Sequence, residues 1–255
     1  MRIETIKRSE MKKKEWFADW FDSPYYSLLY NHRNEVEANS FLEKLCRELK
    51  LSEGSRIWDN ACGKGRHCFV LAKSNYLTTG TDLSKNSIQQ AIQIACKNTE
   101  FYVHDMRSLF RTNYFDCVMN LFTSLGYFEK KADNLKVFRV VNKALKPKGL
   151  FVIDFFNNTK VKNELIAEQV QKREGVDFYI NKKIIDGRIN KTIKFEVDGQ
   201  QHEHKEQVSL LTLSDFEQFA KESGFEILKQ YGDYTLKAFD ETTSERLILI
   251  LKKIN

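Results

Sequence analysis

The chain has 255 residues, of which 42% are hydrophobic and 30% charged, with 41 Lys plus Arg against 35 Asp plus Glu. That balance excludes a disordered or fibrous protein and suits one α/β domain with a small accessory piece. No apolar run approaches the ~18 residues of a membrane-spanning helix, and the N-terminus lacks the apolar core of a secretory signal, so a cytoplasmic protein is expected.

The net charge is +6, and residues 1–14 alone carry six Lys or Arg against two Glu. The rest of the chain is therefore nearly neutral, which makes nucleic acid an unlikely partner unless the basic leader serves as an arm. Five cysteines, odd in number and without a C-x-x-C pair, read as reduced thiols. The close pair His202 and His204 has no evident third ligand, so no metal site is expected.

Residues 34–50 place Val36, Phe41, Leu42, Leu45, Cys46 and Leu49 on one helical stripe. RIWDNACGKG then reads as a strand entering a glycine turn, and RHCFVLAKS as the helix it opens. LTTGTDLS is a second strand ending at Asp82, followed by a helix with Ser84 as N-cap. FYVHDM and NYFDCVMNLF are the third and fourth strands. ADNLKVFRVVNKALKPKG is a helix closed by Pro147 and Gly149, and LFVIDFFN is an apolar fifth strand of a buried parallel sheet. The first three strands end at positions 59, 82 and 105, each 23 residues from the last. That interval holds a strand, a helix and two turns, so the pattern is one of successive βαβ crossovers with a ligand crevice at the strands' carboxyl ends.

After residue 158 the apolar period changes to two. Ile189, Ile193, Phe195 and Val197 alternate with polar neighbours, and Asp186-Gly187 and Asp198-Gly199 are hairpin dipeptides, which predicts a three-stranded antiparallel meander over about 176–212. A helix over 214–223, ended by Gly224, and strands FEILKQY and RLILIL complete the chain. The expected organisation is a leader and cap helices over 1–50, a cofactor-binding core over 51–158, a lid insertion over 159–212 and a return to the core over 213–255.

A glycine-rich turn between strand and helix directs backbone N–H groups and a helix N-terminus at a ligand, and Gly63 and Gly65 permit close approach. A dinucleotide G-x-G-x-x-G would need glycine where Cys68 stands, which lowers a nicotinamide reading without removing it. Asp82, at the end of the second strand, suits the two hydroxyls of a ribose. The third strand ends in His104-Asp105-Met106, an acid beside a large apolar group, as an adenine would require.

The succession DNACGKGRH, TDLS, VHDM, YFDCVMNLFTSLGYF and LKPKGLFVIDFFN resembles the ordered motifs of class I S-adenosylmethionine-dependent methyltransferases over about residues 20–158. The resemblance implies an α/β, doubly wound, Rossmann-like sheet of seven strands, the last antiparallel, with the small meander as an insertion. It implies S-adenosylmethionine as cofactor. It further implies Asp59, Ala61, Cys62, Gly63 and Gly65 around the methionine part, Asp82 and Leu83 at the ribose, and His104, Asp105 and Met106 at the adenine. Asn120, Leu121 and Phe122 follow the fourth strand, and Tyr26, Tyr30 and Arg33 belong to a segment that in related enzymes folds over the mouth and could line it, the alternative being amphipathic helix packing with a solvated Arg. Ala61 replaces the usual first glycine, and Asn120 stands where an acid is frequent.

The acceptor side is less defined. The N/D-P-P-Y/F of base N-methyltransferases is absent, since the fourth strand continues as NLFT. The meander resembles in architecture the insertion of sugar-amine and glycine-type N-methyltransferases. Thr123, Ser124 and Tyr127 follow the fourth strand near the expected methyl group, and His204 or Glu206 of the meander could face the acceptor; the alternative for that pair is a frayed, solvated strand start. Tyr127, His204 and Glu206 are the catalytic candidates. The reading is methyl transfer to N or O of a small polar molecule, with an RNA methyltransferase or a non-catalytic S-adenosylmethionine-binding module as alternatives. The oligomeric state is not legible.

Overall fold

The computed structural model describes residues 16–30 and 35–254. Three helices, α1 (Trp16–Phe21), α2 (Pro24–Tyr30) and α3 (Glu35–Leu49), precede β1 (Arg56–Asn60), α4 (Arg66–Lys73), β2 (Leu77–Asp82), α5 (Lys85–Gln93) and β3 (Thr99–Val103). Then follow β4 (Phe115–Asn120), α6 (Lys131–Ala144), β5 (Leu145–Phe156) and the short α7 (Asn158–Asn163). The antiparallel strands β6 (Glu168–Arg173), β7 (Val176–Ile185), β8 (Arg188–Val197) and β9 (Gln200–Ser209) come next, and α8 (Leu213–Glu222), β10 (Phe225–Tyr231) and β11 (Arg246–Lys253) end the chain.

The main sheet has the order β10-β11-β5-β4-β1-β2-β3, and β11 runs antiparallel to both of its neighbours. This is the expected doubly wound sheet of seven strands with its last strand reversed. The order reverses beside β1, so the carboxyl ends of β1, β2, β3 and β4 open onto one crevice. Strands β4, β5 and β11 are apolar almost throughout because both faces are covered. One side carries Trp58, Phe115, Phe138, Phe151, Phe155 and Phe216 in a single cluster, and the other carries Phe41, Leu42 and Leu45 of α3. No helix among the described residues is long and apolar enough to cross a membrane.

The second sheet has four strands, not the three expected over 176–212. Strand β6 is the addition. Its sequence EQVQKR has no apolar face, and it forms as an edge strand through a turn at Glu174-Gly175, where both residues have positive φ (44° and 84°). Asp186-Gly187 and Asp198-Gly199 bend in the same way, at 50° and 70° and at 51° and 74°. Paired positive φ values are the requirement of the tightest hairpin turn, and Glu-Gly is a weaker sequence sign of it than Asp-Gly. The inner face of this sheet buries Phe178, Ile180, Ile193 and Phe195 against Trp20 of α1 and Leu29 of α2. The cap helices are thus seated on the insertion. Another difference lies at α6, which ends at Ala144, so that the Lys146–Gly149 stretch opens β5 rather than closing the helix.

Gly65 and Gly80 stand against the ring of Phe101 on β3. A Cβ on Gly65 would lie 2.6 Å from that ring, and its φ is +79°. Gly65→Ala should lower stability by about 1–3 kcal/mol, through both backbone strain and overpacking. Thermal unfolding checks this, and an unchanged midpoint would contradict the packing role.

Candidate active site

A cavity of about 310 Å³ opens at the carboxyl ends of β1 to β4 and runs beneath α1 and α2. Its floor is the turn after β1. Ala61 and Gly63 adopt φ of +69° and +55°, so a non-glycine residue occupies a left-handed position at the first of these. The backbone N–H groups of Ala61 and Cys62 both donate to the carbonyl of Thr81, tying the turn to β2. Nothing lies within 4 Å of a Cβ built on Gly63, so the backbone there faces open cavity.

Asp82 organises the next wall. Its Oδ2 accepts from Gly63 N at 2.8 Å and its Oδ1 from Ser84 N at 2.8 Å. Burial raises its affinity for a proton, and the backbone donors of Ser84 and Gly63 oppose that rise. Ser84 caps α5 through Ser87 N and donates its hydroxyl to Asp22 Oδ1 at 2.6 Å, so the turn between α1 and α2 is fixed beside Asp82. Asp105, after β3, is gripped by Arg107 through Nε and Nη2 at 2.7–3.2 Å. Burial alone would raise its titration, but the guanidinium outweighs it and holds the carboxyl below its usual range.

The far wall is strained. Phe122 and Thr123, just past β4, both have positive φ (57° and 62°), which for a β-branched residue is a genuine outlier. Asp154 of β5, fully buried, holds them: its Oδ2 accepts from Phe122 N at 2.8 Å and its carbonyl from Thr123 N at 2.9 Å. Arg246 of β11 completes the clamp, donating to Asp154 Oδ1 at 2.7 Å and to Thr123 Oγ1 at 3.0 Å.

Most of the residues expected at the site line this cavity: Tyr26, Tyr30, Ala61, Cys62, Gly63, Asp82, Leu83, His104, Asp105, Met106, Leu121, Phe122, Thr123, Ser124 and Tyr127. Several do not. Asp59 is buried behind the turn, 3.6 Å from His67 Nδ1, and it is His67 that reaches the lining. Gly65 serves packing against Phe101. Asn120 is buried and donates to Asn60 O at 3.0 Å. His204 and Glu206 lie outside the lining, yet they are not a frayed strand start, since β9 begins at Gln200. His204 stacks on Trp20 at 4.1 Å, and burial, followed by His202, pushes its proton affinity down. Glu206 accepts from Trp20 Nε1 at 2.6 Å and from the Tyr30 hydroxyl at 2.7 Å. Arg33 and the basic leader lie outside the described residues. The lining also includes Phe17, Phe21, Ser27, Asn60, Lys64, Arg66, Ser87 and Phe128. Phe17 and Phe21 carried no sequence sign beyond an aromatic stretch before the cap helix.

The sequence profile of the family described as "Methyltransferase domain" matches residues 51–209. The chain is a member of that family. As a methyltransferase it is 28% identical, over 94% of its length and 99% of the other's, to a protein of Geobacillus sp. (strain WCH70) that is provisionally named a methyltransferase. Among solved structures it resembles an S-adenosylmethionine-dependent methyltransferase from Clostridium acetobutylicum ATCC 824 (TM-score 0.76, 22% identity, 92% and 97% of the two chains). It also resembles a sugar N-methyltransferase from Streptoalloteichus sp. ATCC 53650 (TM-score 0.68, 18% identity, 100% and 99% of the two chains). The Clostridium acetobutylicum enzyme depends on S-adenosylmethionine. The lining here fits that cofactor: space is open above Gly63, the Asp82 carboxylate keeps lone pairs beyond the two N–H groups it accepts from, and the buried Nδ2 of Asn60 has no hydrogen-bond partner. Among the described residues no group of three or more His, Cys, Asp or Glu could hold a metal ion.

Removing Asp154 strands Arg246 and releases the two strained residues. Asp154→Ala should cost roughly 3–5 kcal/mol, the range for breaking a buried ion pair. Urea unfolding measures this, and a loss below about 1 kcal/mol would show that the clamp holds little.

Proposed function

We propose that this methyltransferase transfers the methyl group of S-adenosylmethionine to a nitrogen or oxygen of a small polar molecule in the cytoplasm. The observation that carries the reading is the mixed lining of one cavity: acids and open backbone from the strand ends, and a contiguous cluster of rings, Phe17, Phe21, Tyr26, Tyr30, Tyr127 and Phe128, from α1, α2 and the loop after β4. Asp82 would hold the ribose hydroxyls, Asp105 and Met106 the adenine, and the Ala61–Gly63 turn with Asn60 the methionine part. His67, Leu121 and Phe122 would close the floor near the sulfur. Bound there, S-adenosylmethionine supplies an electrophilic methyl group.

The chain's own part is positioning. Holding acceptor and methyl group in line can supply about 7–11 kcal/mol of barrier reduction without a covalent intermediate on the protein. The ring cluster excludes water, and the cap helices seated on the four-stranded sheet bound the cavity's size, which favours a small acceptor over a polymer. Resemblance in fold to a sugar N-methyltransferase supports an acceptor of that scale. Five free thiols suit a reducing compartment.

A labelled-methyl transfer screen over pooled metabolites, read by mass spectrometry, tests the reading. One labelled small-molecule product is expected; no product, from a protein that binds S-adenosylhomocysteine, would favour a non-catalytic binding module. Asp82→Ala should weaken S-adenosylhomocysteine binding by about 1.5–3 kcal/mol, the range for hydrogen bonds to a charged group. Gly63→Val should abolish it. Calorimetry decides both, and unchanged affinity in either variant would remove that residue from the site.

A further inference from the structure

We infer that Asp22 is a positioning residue: it latches the α1–α2 cap to the Asp82 end of the cavity, so that cofactor binding and closure of the cap over the acceptor favour one another. The inference rests on the transferase reading above and adds to it a coupling between the two binding events.

Asp22 lies in the turn between α1 and α2 and outside the cavity lining. Its Oδ1 accepts from the Ser84 hydroxyl at 2.6 Å and from Asn86 N at 3.0 Å, and its Oδ2 from Asn86 Nδ2 at 2.9 Å. Asn86 Nδ2 also donates to the Asp22 carbonyl at 3.2 Å. The N–H of Asn86 is one of those a helix leaves unpaired at its start, so Asp22 caps α5 from a distant part of the chain and places its charge at the positive end of that helix. Ser84, which is buried, is shared: its N–H is held by Asp82 Oδ1 and its hydroxyl by Asp22. One residue therefore separates the carboxylate read as the ribose ligand from the latch.

The cap spans two bodies. Trp20 and Leu29 are buried against Phe178, Ile180, Ile193 and Phe195 of the four-stranded sheet, whereas Phe17 and the latch reach the seven-stranded core. Three of the four bonds between Asp22 and α5 are exposed, and exposed hydrogen bonds are the ones that open most readily in local fluctuations. The cavity beneath measures about 310 Å³, the lower end of the roughly 300–1,000 Å³ that one small ligand occupies. Transfer needs cofactor and acceptor there together, so the cap has to yield to admit both, and the latch returns it.

Phe17, Phe21, Tyr26, Ser27 and Tyr30 line the cavity only while α1 and α2 lie over it. A ligand that touches them binds the closed form more tightly, and by reciprocity anything that favours closure raises the affinity of every such ligand. Weakening the latch lowers the closed fraction and reduces each apparent affinity by that fraction. Saturation with both ligands restores closure, so the maximal rate survives.

Asp22→Ala removes the three side-chain bonds and leaves both the lining and the Ser84 cap of α5 in place. It should weaken S-adenosylhomocysteine binding by about tenfold in calorimetry, although Asp22 lies outside the lining. With the acceptor found by the labelled-methyl screen, KM should rise by about tenfold while kcat stays within about threefold. Saturating S-adenosylhomocysteine should return acceptor binding by the variant to within about threefold of the unaltered protein, a cooperativity that lost packing alone does not produce. Asn86→Ala keeps its own N–H and should show the same pattern at smaller size. Failure of the unaltered protein to bind S-adenosylhomocysteine overturns the transferase reading, and the latch with it. Normal binding there, combined with an affinity of Asp22→Ala within twofold of it or with a fall in kcat at unchanged KM, overturns the latch alone and leaves Asp22 a structural cap of α5.

Discussion

The carboxylate of Asp82 is the joint on which the site depends. One oxygen takes the N–H of Gly63 and the other takes that of Ser84, so a single side chain fixes the turn after β1 and the start of α5 at once. Ser84 extends the joint to Asp22, which also accepts from the backbone and side chain of Asn86. Core, turn and cap helices therefore meet at one strand end. The parallel sheet makes this possible, because β1 and β2 run in register from Arg56 and Leu77 to Asn60 and Thr81 and deliver their last residues to the same edge.

Strain at the opposite wall has a comparable logic. Two consecutive left-handed residues, one of them threonine, cost of order 1–3 kcal/mol each and persist only where their surroundings over-determine them. Asp154 and Arg246 come from β5 and β11, adjacent interior strands of the seven-stranded sheet that pair antiparallel from Leu150–Lys252 to Phe156–Arg246. The interior of the sheet thereby shapes the loop after β4 that lines the cavity, while the helices over the cavity are held by buried polar contacts of Trp20 and Tyr30 with Glu206.

Much of this was legible in the sequence. Even spacing of strand ends, the acid at 82 and the glycine turn all depend on local grammar, and the family's motif order named the cofactor. What escaped was whatever depends on tertiary partners. Gly65 reads as ligand-facing because its spacing from Gly63 is that of a phosphate or methionine turn, yet the ring of Phe101, 36 residues later, claims the space above it. Asp59 reads as a contact residue, but the turn folds over it and exposes His67 instead. β6 has no apolar period to declare it, and pairing with β7 creates it. Glu206 was visible as a polar residue on an apolar face, but its partners Trp20 and Tyr30 lie more than 170 residues earlier.

The central claim is that one cavity, lined by Asp82 and the aromatic cluster, receives the cofactor and is closed by the cap. Amide hydrogen exchange with and without S-adenosylhomocysteine addresses it most directly. The account predicts slower exchange in residues 60–66, 82–87 and 104–107, in the loop at 121–124 and in the α1–α2 turn around Asp22, with little change in β6 to β8. Protection confined to the four-stranded sheet, or none at the turn after β1, would contradict it.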